Sequence, residues 1–129
     1  VRVPGLPAGQ KTQVLTESVD IYPTLCELTG VPAPDTVEGQ SFVALLKDPS
    51  KSTEDLAFSR HGKGDSIRTD RFRYSEYRDG KGKLTGRMLY DHQEDPLENE
   101  NIVDSPDHAK KVEALSQKLK KAKNSTRMK

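Results

Sequence analysis

Two cationic or titratable side chains come directly before a glycine-rich stretch. Arg60 and His61 precede Gly62-Lys63-Gly64, at the end of an alternating apolar and polar pattern. A guanidinium and an imidazole at a strand end can donate charge-assisted hydrogen bonds to an anionic group. Loops next to strand ends often carry binding residues. We therefore take Arg60 and His61 as candidate substrate contacts, with a plain solvent-exposed strand end as the alternative.

A second cluster combines carboxylates with a histidine and invites a calcium-site interpretation. It lacks the spacing and central glycine of an EF-hand, and Pro96 favours a turn. Asn99 and Asn101 support that turn, because their side chains can bond nearby backbone groups. We predict a solvated turn and assign no metal ligand. The residues concerned are Asp91, His92, Glu94, Asp95, Glu98 and Glu100.

Cys26 is the single cysteine, so an internal disulfide and a cysteine-based zinc cluster are excluded. As a nucleophile it would need a neighbouring base or cation to lower its pKa. Leu25 and Leu28 flank it on the apolar side of a predicted helix, which favours a buried small hydrophobe. We therefore predict no catalytic residue in this chain.

Clustered basic residues raise the alternative of polyanion binding. Arg68, Arg71 and Arg73 alternate along a predicted hairpin, but acidic residues interleave with them and no aromatic platform is spaced for stacking bases. We predict pairing within the sheet, with Arg68 as an internal salt-bridge residue. The lysines of the last segment predict a solvated helix face, with weak binding to sulfated glycans as the alternative. Neither group predicts a nucleic-acid partner.

Composition limits what these residues can build. The chain has 129 residues, of which 32% are hydrophobic and 32% charged, and 21 Lys plus Arg balance 20 Asp plus Glu. A domain of this size can bury a core, but the apolar content is below the globular average. No apolar run approaches the roughly 18 residues that span a bilayer. We expect a marginal domain or a piece that packs on something else, and no membrane partner.

The first half predicts an edge strand and two helices. Val1 to Val3 is a short extended stub, and apolar spacing predicts a helix over Ser18 to Thr29, capped by Ser18 or Asp20 and ended by Gly30. A short helix follows over Ser41 to Lys47, ended by Asp48-Pro49. A polar loop covers Ser50 to Asp55.

The second half predicts a small antiparallel sheet with a helix. Alternation changes to period two from Leu56, and a flexible connection over Arg78 to Lys83 joins the last strands. Ser105-Pro106 opens a final helix with an apolar stripe, which covers a sheet of three or four strands. The predicted class is α+β, with segment boundaries as follows: 1–50 for the stub and two helices, 51–123 for the small sheet and helix, and 124–129 for a disordered basic tail.

Three segments, taken in order, resemble the carboxy-terminal region of sulfatases of the alkaline-phosphatase-like superfamily. The first is the Val1 stub with the Ser18 to Gly30 helix, and the second is the Gly-x-Ser helix from Glu38 to Leu46. The third is Ser66-Ile67-Arg68-Thr69 with its aromatic-Arg-Tyr strand, followed by Leu89-Tyr90-Asp91 and the acidic turn. The Ser-Ile-Arg-Thr version is most similar to the iduronate-2-sulfatase branch. The resemblance implies that residues 1–50 are the end of the family's large α/β domain, and that Arg68 holds the small sheet against that domain.

The resemblance implies that the chemistry lies elsewhere. Such enzymes use a formylglycine, made within a Cys/Ser-x-Pro/Ala-x-Arg motif, beside calcium, and the hydrated formylglycine attacks the sulfur of a sulfate ester. Cys26 is followed by Glu27-Leu28-Thr29-Gly30, so this motif is absent. The resemblance therefore implies a missing amino-terminal sulfatase domain as partner and a sulfated carbohydrate as substrate. It also implies a fragment that is inactive alone, and a parent that acts in the periplasm, outside the cell or in lysosomes.

Two other functions remain open on the sequence. A phosphonate monoester hydrolase or phosphodiesterase of the same superfamily would share this general tail. A free-standing module that binds acidic glycans is the third possibility. The thin apolar content, the orphan stub at Val1 and the absence of an initiating methionine count against it.

Overall fold

The computed structural model describes residues 1–51 and 56–127, which form two compact units, one on each side of residues 52–55. The predicted polar loop over residues 50–55 therefore lies largely outside the described residues. No helix in the described part of the chain is both long and apolar enough to cross a bilayer.

The first unit contains two short helices. A 3₁₀ turn at Ser18–Asp20 leads into α1, Ile21–Thr29, and α2 covers Val43–Lys47. Pro23 is tolerated as the third residue of α1, because backbone N–H groups in the first turn have no intrahelical acceptor to lose. Gly30 ends α1 with a left-handed φ of 71°, as predicted.

Asp20 connects the start of α1 to the segment before α2. Its Oδ1 accepts a hydrogen bond of 2.8 Å from the Gln40 backbone, and its carbonyl accepts one of 2.6 Å from the Thr24 hydroxyl. Gly39 lies against this junction, since a Cβ there would sit 2.2 Å from the Val19 carbonyl oxygen. The close approach explains why glycine precedes the second helix.

The apolar side of α1 is mostly not buried within its own unit. Cys26 is 7% exposed, whereas Ile21, Tyr22 and Leu25 are each more than 50% exposed. The helix lies where the spacing predicts it. The first unit has few apolar residues, so it buries only one strip of the surface of α1. The apolar strip that stays exposed is wider than is usual for a helix surface in contact with water.

The predicted edge strand at Val1 to Val3 is not formed; these residues have no regular secondary structure. A strand is defined by hydrogen bonds to a neighbour. All four described strands belong to the second unit, so this segment has no strand beside it within its own unit.

The second unit is a four-stranded antiparallel meander with a helix on one face, which confirms the predicted α+β class. The strands are β1, Ala57–His61; β2, Gly64–Arg68; β3, Phe72–Arg78; and β4, Leu84–Asp91, in spatial order β1-β2-β3-β4. Each pair is joined by a short connection, so neighbours in sequence are neighbours in the sheet.

Helix α3, Ala109–Arg127, covers one face of this sheet after a 3₁₀ turn that Pro106 opens. The side chains of Ile67, Tyr74 and Leu89 are fully buried beneath it. The predicted stripe supplies the helix side of the core through Val112, Leu115 and Leu119. Lysines on the outer side of α3 are exposed, as expected for a solvated face.

The final helix continues past the point where the sequence suggests a disordered tail. Residues 124–127 are helical, and residues 128–129 lie outside the described part. Asn124, Ser125 and Thr126 are only modest helix formers, but neither glycine nor proline interrupts the run.

Replacing Leu89 by alanine tests this core. We expect Leu89→Ala to lower the free energy of unfolding by about 2–5 kcal/mol, because the side chain is fully buried and leaves a cavity. Urea titration followed by far-ultraviolet circular dichroism measures the loss. Leu97→Ala is the matched control, since Leu97 is 82% exposed; equal losses in the two variants would contradict the packing described.

Candidate functional site

The predicted glycine-rich loop is a tight hairpin turn. Arg60 lies opposite Asp65 and His61 opposite Gly64, which leaves only two residues between β1 and β2. Gly62 has a φ of 56°, the sign that the first position of a type II′ turn requires. The turn is therefore short and its strand ends are fixed by pairing.

The two candidate contact residues are not brought together. Successive residues of a strand point to opposite faces. Arg60 lies on the α3 side, where its Nε donates a 2.6 Å hydrogen bond to the Asp65 carboxylate and its guanidinium lies 5.7 Å from the Phe58 ring. His61 lies on the other face and is exposed.

Asp65 is held by two cations. Lys123 of α3 donates a 2.5 Å hydrogen bond to the oxygen that Arg60 leaves free. Burial alone would raise the pKa of Asp65, but the hydrogen bonds from Arg60 and Lys123 outweigh burial and lower that pKa below its usual value. Arg60 thus already has a carboxylate partner in this chain.

A buried carboxylate that the sequence analysis missed lies next to this pair. Glu76 is 5% exposed and accepts hydrogen bonds from Ser116 (2.6 Å), Arg78 (2.6 Å) and Tyr74 (3.0 Å). Burial would raise the pKa of Glu76, but these three donors outweigh it and lower that pKa. Burial and the nearby Glu76 charge raise the pKa of Tyr74 to about 12. The group is structural, because Ser116 ties α3 to the centre of the sheet.

The acidic segment after β4 forms the predicted turn. Asp91 accepts three hydrogen bonds from Arg71, of 2.8, 3.0 and 2.6 Å, and these lower the pKa of Asp91. Asp95 accepts from the Glu100 backbone and from Asn99. Within residues 1–51 and 56–127, no group of three or more His, Cys, Asp or Glu is placed to hold a metal ion. Asp91, Asp95 and Glu98 are thus engaged by donors of the chain itself.

Cys26 does not fit a formylglycine position. It is buried at 7% exposure on α1, and the residues after it do not form the modification motif. This agrees with the predicted role as a small hydrophobe.

Two of the three alternating arginines pair with carboxylates, as predicted. Arg71 pairs with Asp91, and Arg73 approaches Glu98 at 3.1 Å. Arg68 instead lies 2.9 Å from Nε2 of His92. No ion pair joins Arg68 to a carboxylate of the described residues.

The described residues thus form two short helices, then a four-stranded sheet with a covering helix and an acidic turn. The family model described as "N-sulphoglucosamine sulphohydrolase, C-terminal" matches residues 1–125. The chain belongs to this family, which confirms the resemblance to the sulfatase carboxy-terminal region.

Relatives agree with this assignment. The chain is 33% identical over 119 residues to a sulfatase of Formosa agariphila, covering 92% of this chain and 22% of that protein. It is 29% identical over 119 residues to a Delta 4,5-hexuronate-2-O-sulfatase of Bacteroides thetaiotaomicron, covering 83% of this chain and 24% of that protein. The chain therefore spans less than a quarter of the length of these sulfatases.

A solved structure shows the same fold. The phosphonate monoester hydrolase of Silicibacter pomeroyi superposes with a TM-score of 0.82 at 24% identity, over 97% of this chain and 28% of that one. At this identity the likeness concerns the fold alone.

Acid should weaken the contacts around Asp65. Because the pKa of Asp65 is lowered in the folded chain, its contribution is present above the ordinary Asp pKa of about 4 and is lost as the pH falls through the folded value. We expect Asp65→Asn to cost about 1–3 kcal/mol at pH 7 and to reduce the stability difference between pH 7 and pH 3. Urea titrations at both pH values measure this.

Asp104→Asn is the control for that experiment, since the Asp104 side chain is 88% exposed and lies 3.5 Å from Arg87. An exposed pair of this kind contributes little to stability. If both variants kept the full pH dependence of the unmodified chain, the role given to Asp65 would be wrong.

Proposed function

We propose that this chain is the carboxy-terminal part of a sulfatase that hydrolyses sulfate esters of a sulfated carbohydrate. The observation that carries the proposal is the family match over residues 1–125, together with coverage of only 22% of the Formosa agariphila sulfatase. The match covers nearly all of this chain but only a small share of the relative, as expected for one domain of a larger enzyme. The substrate class is supported by the relative named for a hexuronate 2-O-sulfate.

In this proposal the chain is structural and inactive alone. The nucleophile and the metal ligands belong to the amino-terminal portion of the complete protein, where formylglycine and calcium are expected. Two side chains of this chain could be taken for a nucleophile and a metal ligand, but they have other roles. Cys26 is buried, and Asp91 pairs with Arg71. The chain's contribution is then to pack on the catalytic portion and to border the substrate cleft.

The test is a comparison of the complete protein with the 129-residue chain. We expect the complete protein, with its formylglycine and calcium, to release sulfate from 4-nitrocatechol sulfate and from an unsaturated 2-O-sulfated disaccharide. We expect the chain alone to release none. Sulfate release by the chain alone would refute the proposed division of labour, and an inactive complete protein with formylglycine verified by mass spectrometry would refute the sulfatase assignment.

Phosphonate monoester hydrolysis is the second candidate, favoured by the fold shared with the Silicibacter pomeroyi enzyme. The same purified protein is assayed with 4-nitrophenyl phenylphosphonate. A kcat/KM for the phosphonate above that for every sulfate ester would move the assignment to this candidate.

We further propose that the β1–β2 turn lies at the rim of the cleft, with His61 and Arg60 near the substrate. His61 is exposed, while Arg60 is 44% exposed and bonded to Asp65, so the two should respond differently to substitution. We expect His61→Ala to raise KM for a sulfated disaccharide with an unchanged melting temperature. Arg60→Ala should lower the melting temperature as well, because Asp65 loses a partner.

Lys63→Ala, in the same turn, is the control for a general effect of the exposed loop. Kinetics and thermal unfolding of the complete enzyme measure the three variants. Unchanged KM for both His61→Ala and Arg60→Ala would remove this turn from the substrate cleft.

A further inference from the structure

Helix α3 concentrates the positive charge of this chain. It contains seven lysines and arginines but one acidic residue, Glu113, which gives the helix a formal charge of +6. The whole chain has a formal net charge of +1, so all the other residues together carry −5. Charge of one sign on one element creates a local field that attracts ligands of the opposite sign. The balanced composition of the chain therefore conceals a separation of charge within it.

Four lysines lie along one exposed side of α3. With 3.6 residues per turn, they fall within about 100° of the helix circumference, and Glu113 lies outside this arc. They are Lys110, Lys111, Lys118 and Lys121, and all four are exposed. At a rise of 1.5 Å per residue, the first and the last are about 16 Å apart along the helix axis. We call this set the lysine surface.

Carboxylates of the described residues do not neutralise the lysine surface. The one α3 cation with an ion pair there is Lys123, which donates a 2.5 Å hydrogen bond to Asp65 and lies outside the surface. Lys118 and Lys121 are three residues apart, a spacing at which like charges on a helix repel each other. An anionic ligand across these two side chains would relieve that repulsion.

The lysine surface begins near the turn that we place at the rim of the substrate cleft. Towards the end of α3, Lys123 reaches Asp65, next to the β1–β2 turn. Near its start, Lys111 lies 5.1 Å from the ring of Phe72, the first residue of β3. Because β2 and β3 are antiparallel, Phe72 lies at the end of the sheet remote from the β1–β2 turn. The helix therefore leads away from this turn along the sheet.

We propose that the lysine surface binds the anionic groups of a sulfated glycan chain beyond the unit that lies in the cleft. The inference rests on the proposed function, which places a sulfated carbohydrate at the β1–β2 turn. A polymer that enters the cleft with one unit continues outward, and cations spread over about 16 Å can contact several of its anionic groups together. Each exposed contact is weak, so the surface acts on long chains and not on a single disaccharide. Helix α3 contains no aromatic residue on which bases could stack, which favours a glycan over a nucleic acid.

Kinetics of the complete protein test the surface by substrate length. The substrates are an unsaturated 2-O-sulfated disaccharide and a heparin octasaccharide that ends in the same unit. We expect Lys118→Gln combined with Lys121→Gln to raise KM for the octasaccharide about fivefold, because two charged contacts are lost. The turnover number and the KM for the disaccharide should not change. Lys81→Gln combined with Lys83→Gln is the matched control, since it removes two exposed charges from the β3–β4 connection and should change neither KM.

A conservative pair separates charge from shape. Lys118→Arg combined with Lys121→Arg keeps both charges and should leave the KM for the octasaccharide close to that of the unmodified protein. Added salt should raise this KM more steeply in the unmodified protein than in the glutamine variant, because salt screens exposed charges. Melting temperatures of all variants show whether the fold is intact. An arginine pair that loses as much as the glutamine pair would contradict a role of these lysines in binding anions.

Binding without catalysis gives a second measurement. A fluorescently labelled heparin octasaccharide is titrated into the complete protein, and we expect the glutamine pair at Lys118 and Lys121 to raise Kd about fivefold. Equal affinity of the unmodified protein and this variant would overturn the proposal. So would tighter binding of a single-stranded DNA of equal charge, or a KM for the disaccharide that rises as much as that for the octasaccharide. The last result would place these lysines in the cleft itself.

Failure of this inference is distinguishable from failure of the proposed function. A complete protein that releases sulfate from the octasaccharide with the same KM before and after substitution of Lys118 and Lys121 refutes the lysine surface alone. A complete protein that releases no sulfate, but binds the octasaccharide through these two lysines, refutes the proposed activity alone.

Discussion

Two buried carboxylates that face each other across the sheet constrain the whole second unit. Asp65 on β2 lies directly opposite Glu76 on β3, and the two are 8% and 5% exposed. Like charges in this position, shielded from water, are tolerated only if each is paired and hydrogen-bonded. Arg60 and Lys123 engage the first carboxylate, while Arg78 and Ser116 engage the second. Because Lys123 and Ser116 belong to α3, the helix position and the strand register depend on the same contacts. A slip of one residue in either strand would turn its carboxylate to the other face.

The two faces of this sheet differ in how far the chain itself covers them. On the α3 side the apolar core and the carboxylates of Asp65 and Glu76 have their partners within the chain. The other face has a groove of about 350 Å³ lined by residues such as Ser66 and Ser75, and in the first unit α1 leaves large apolar side chains exposed. Under the proposed function these surfaces would be interfaces with the rest of a longer protein, and the low apolar content of this chain would reflect burial that takes place there.

Elements with a local cause could be predicted from the sequence, and contacts between elements could not. Period-two alternation placed β3, and Gly30 correctly ended α1, since both signals depend on neighbouring residues. Alternation also implies that the side chains of Arg60 and His61 point to opposite faces of the sheet. Their chemistry suggested that both contact one substrate, but the strand geometry places them on different faces. Glu76 was missed because an inward-facing glutamate in an alternating strand has the same pattern as an outward-facing one until Ser116 of α3 is in place. The predicted strand at Val1 to Val3 has no regular secondary structure here, because a strand requires a partner and the partner is not a local property.

The same reasoning limits what this region contributes to choosing a substrate. Sulfatases and a phosphonate monoester hydrolase share its fold, so the architecture itself does not select between a sulfate and a phosphonate ester. Selection at the reacting atom requires groups that touch it. Cys26, which the sequence offers as a nucleophile, is buried, and Asp91, offered as a metal ligand, is paired with Arg71. In the β1–β2 turn the backbone is fixed by pairing, while the His61 side chain stays exposed. Because His61 lies on the opposite face from Asp65 and Glu76, its substitution would leave both buried carboxylates with their partners. If the turn borders the substrate cleft as proposed, His61 is therefore the position where a change would act on the substrate and not on the scaffold.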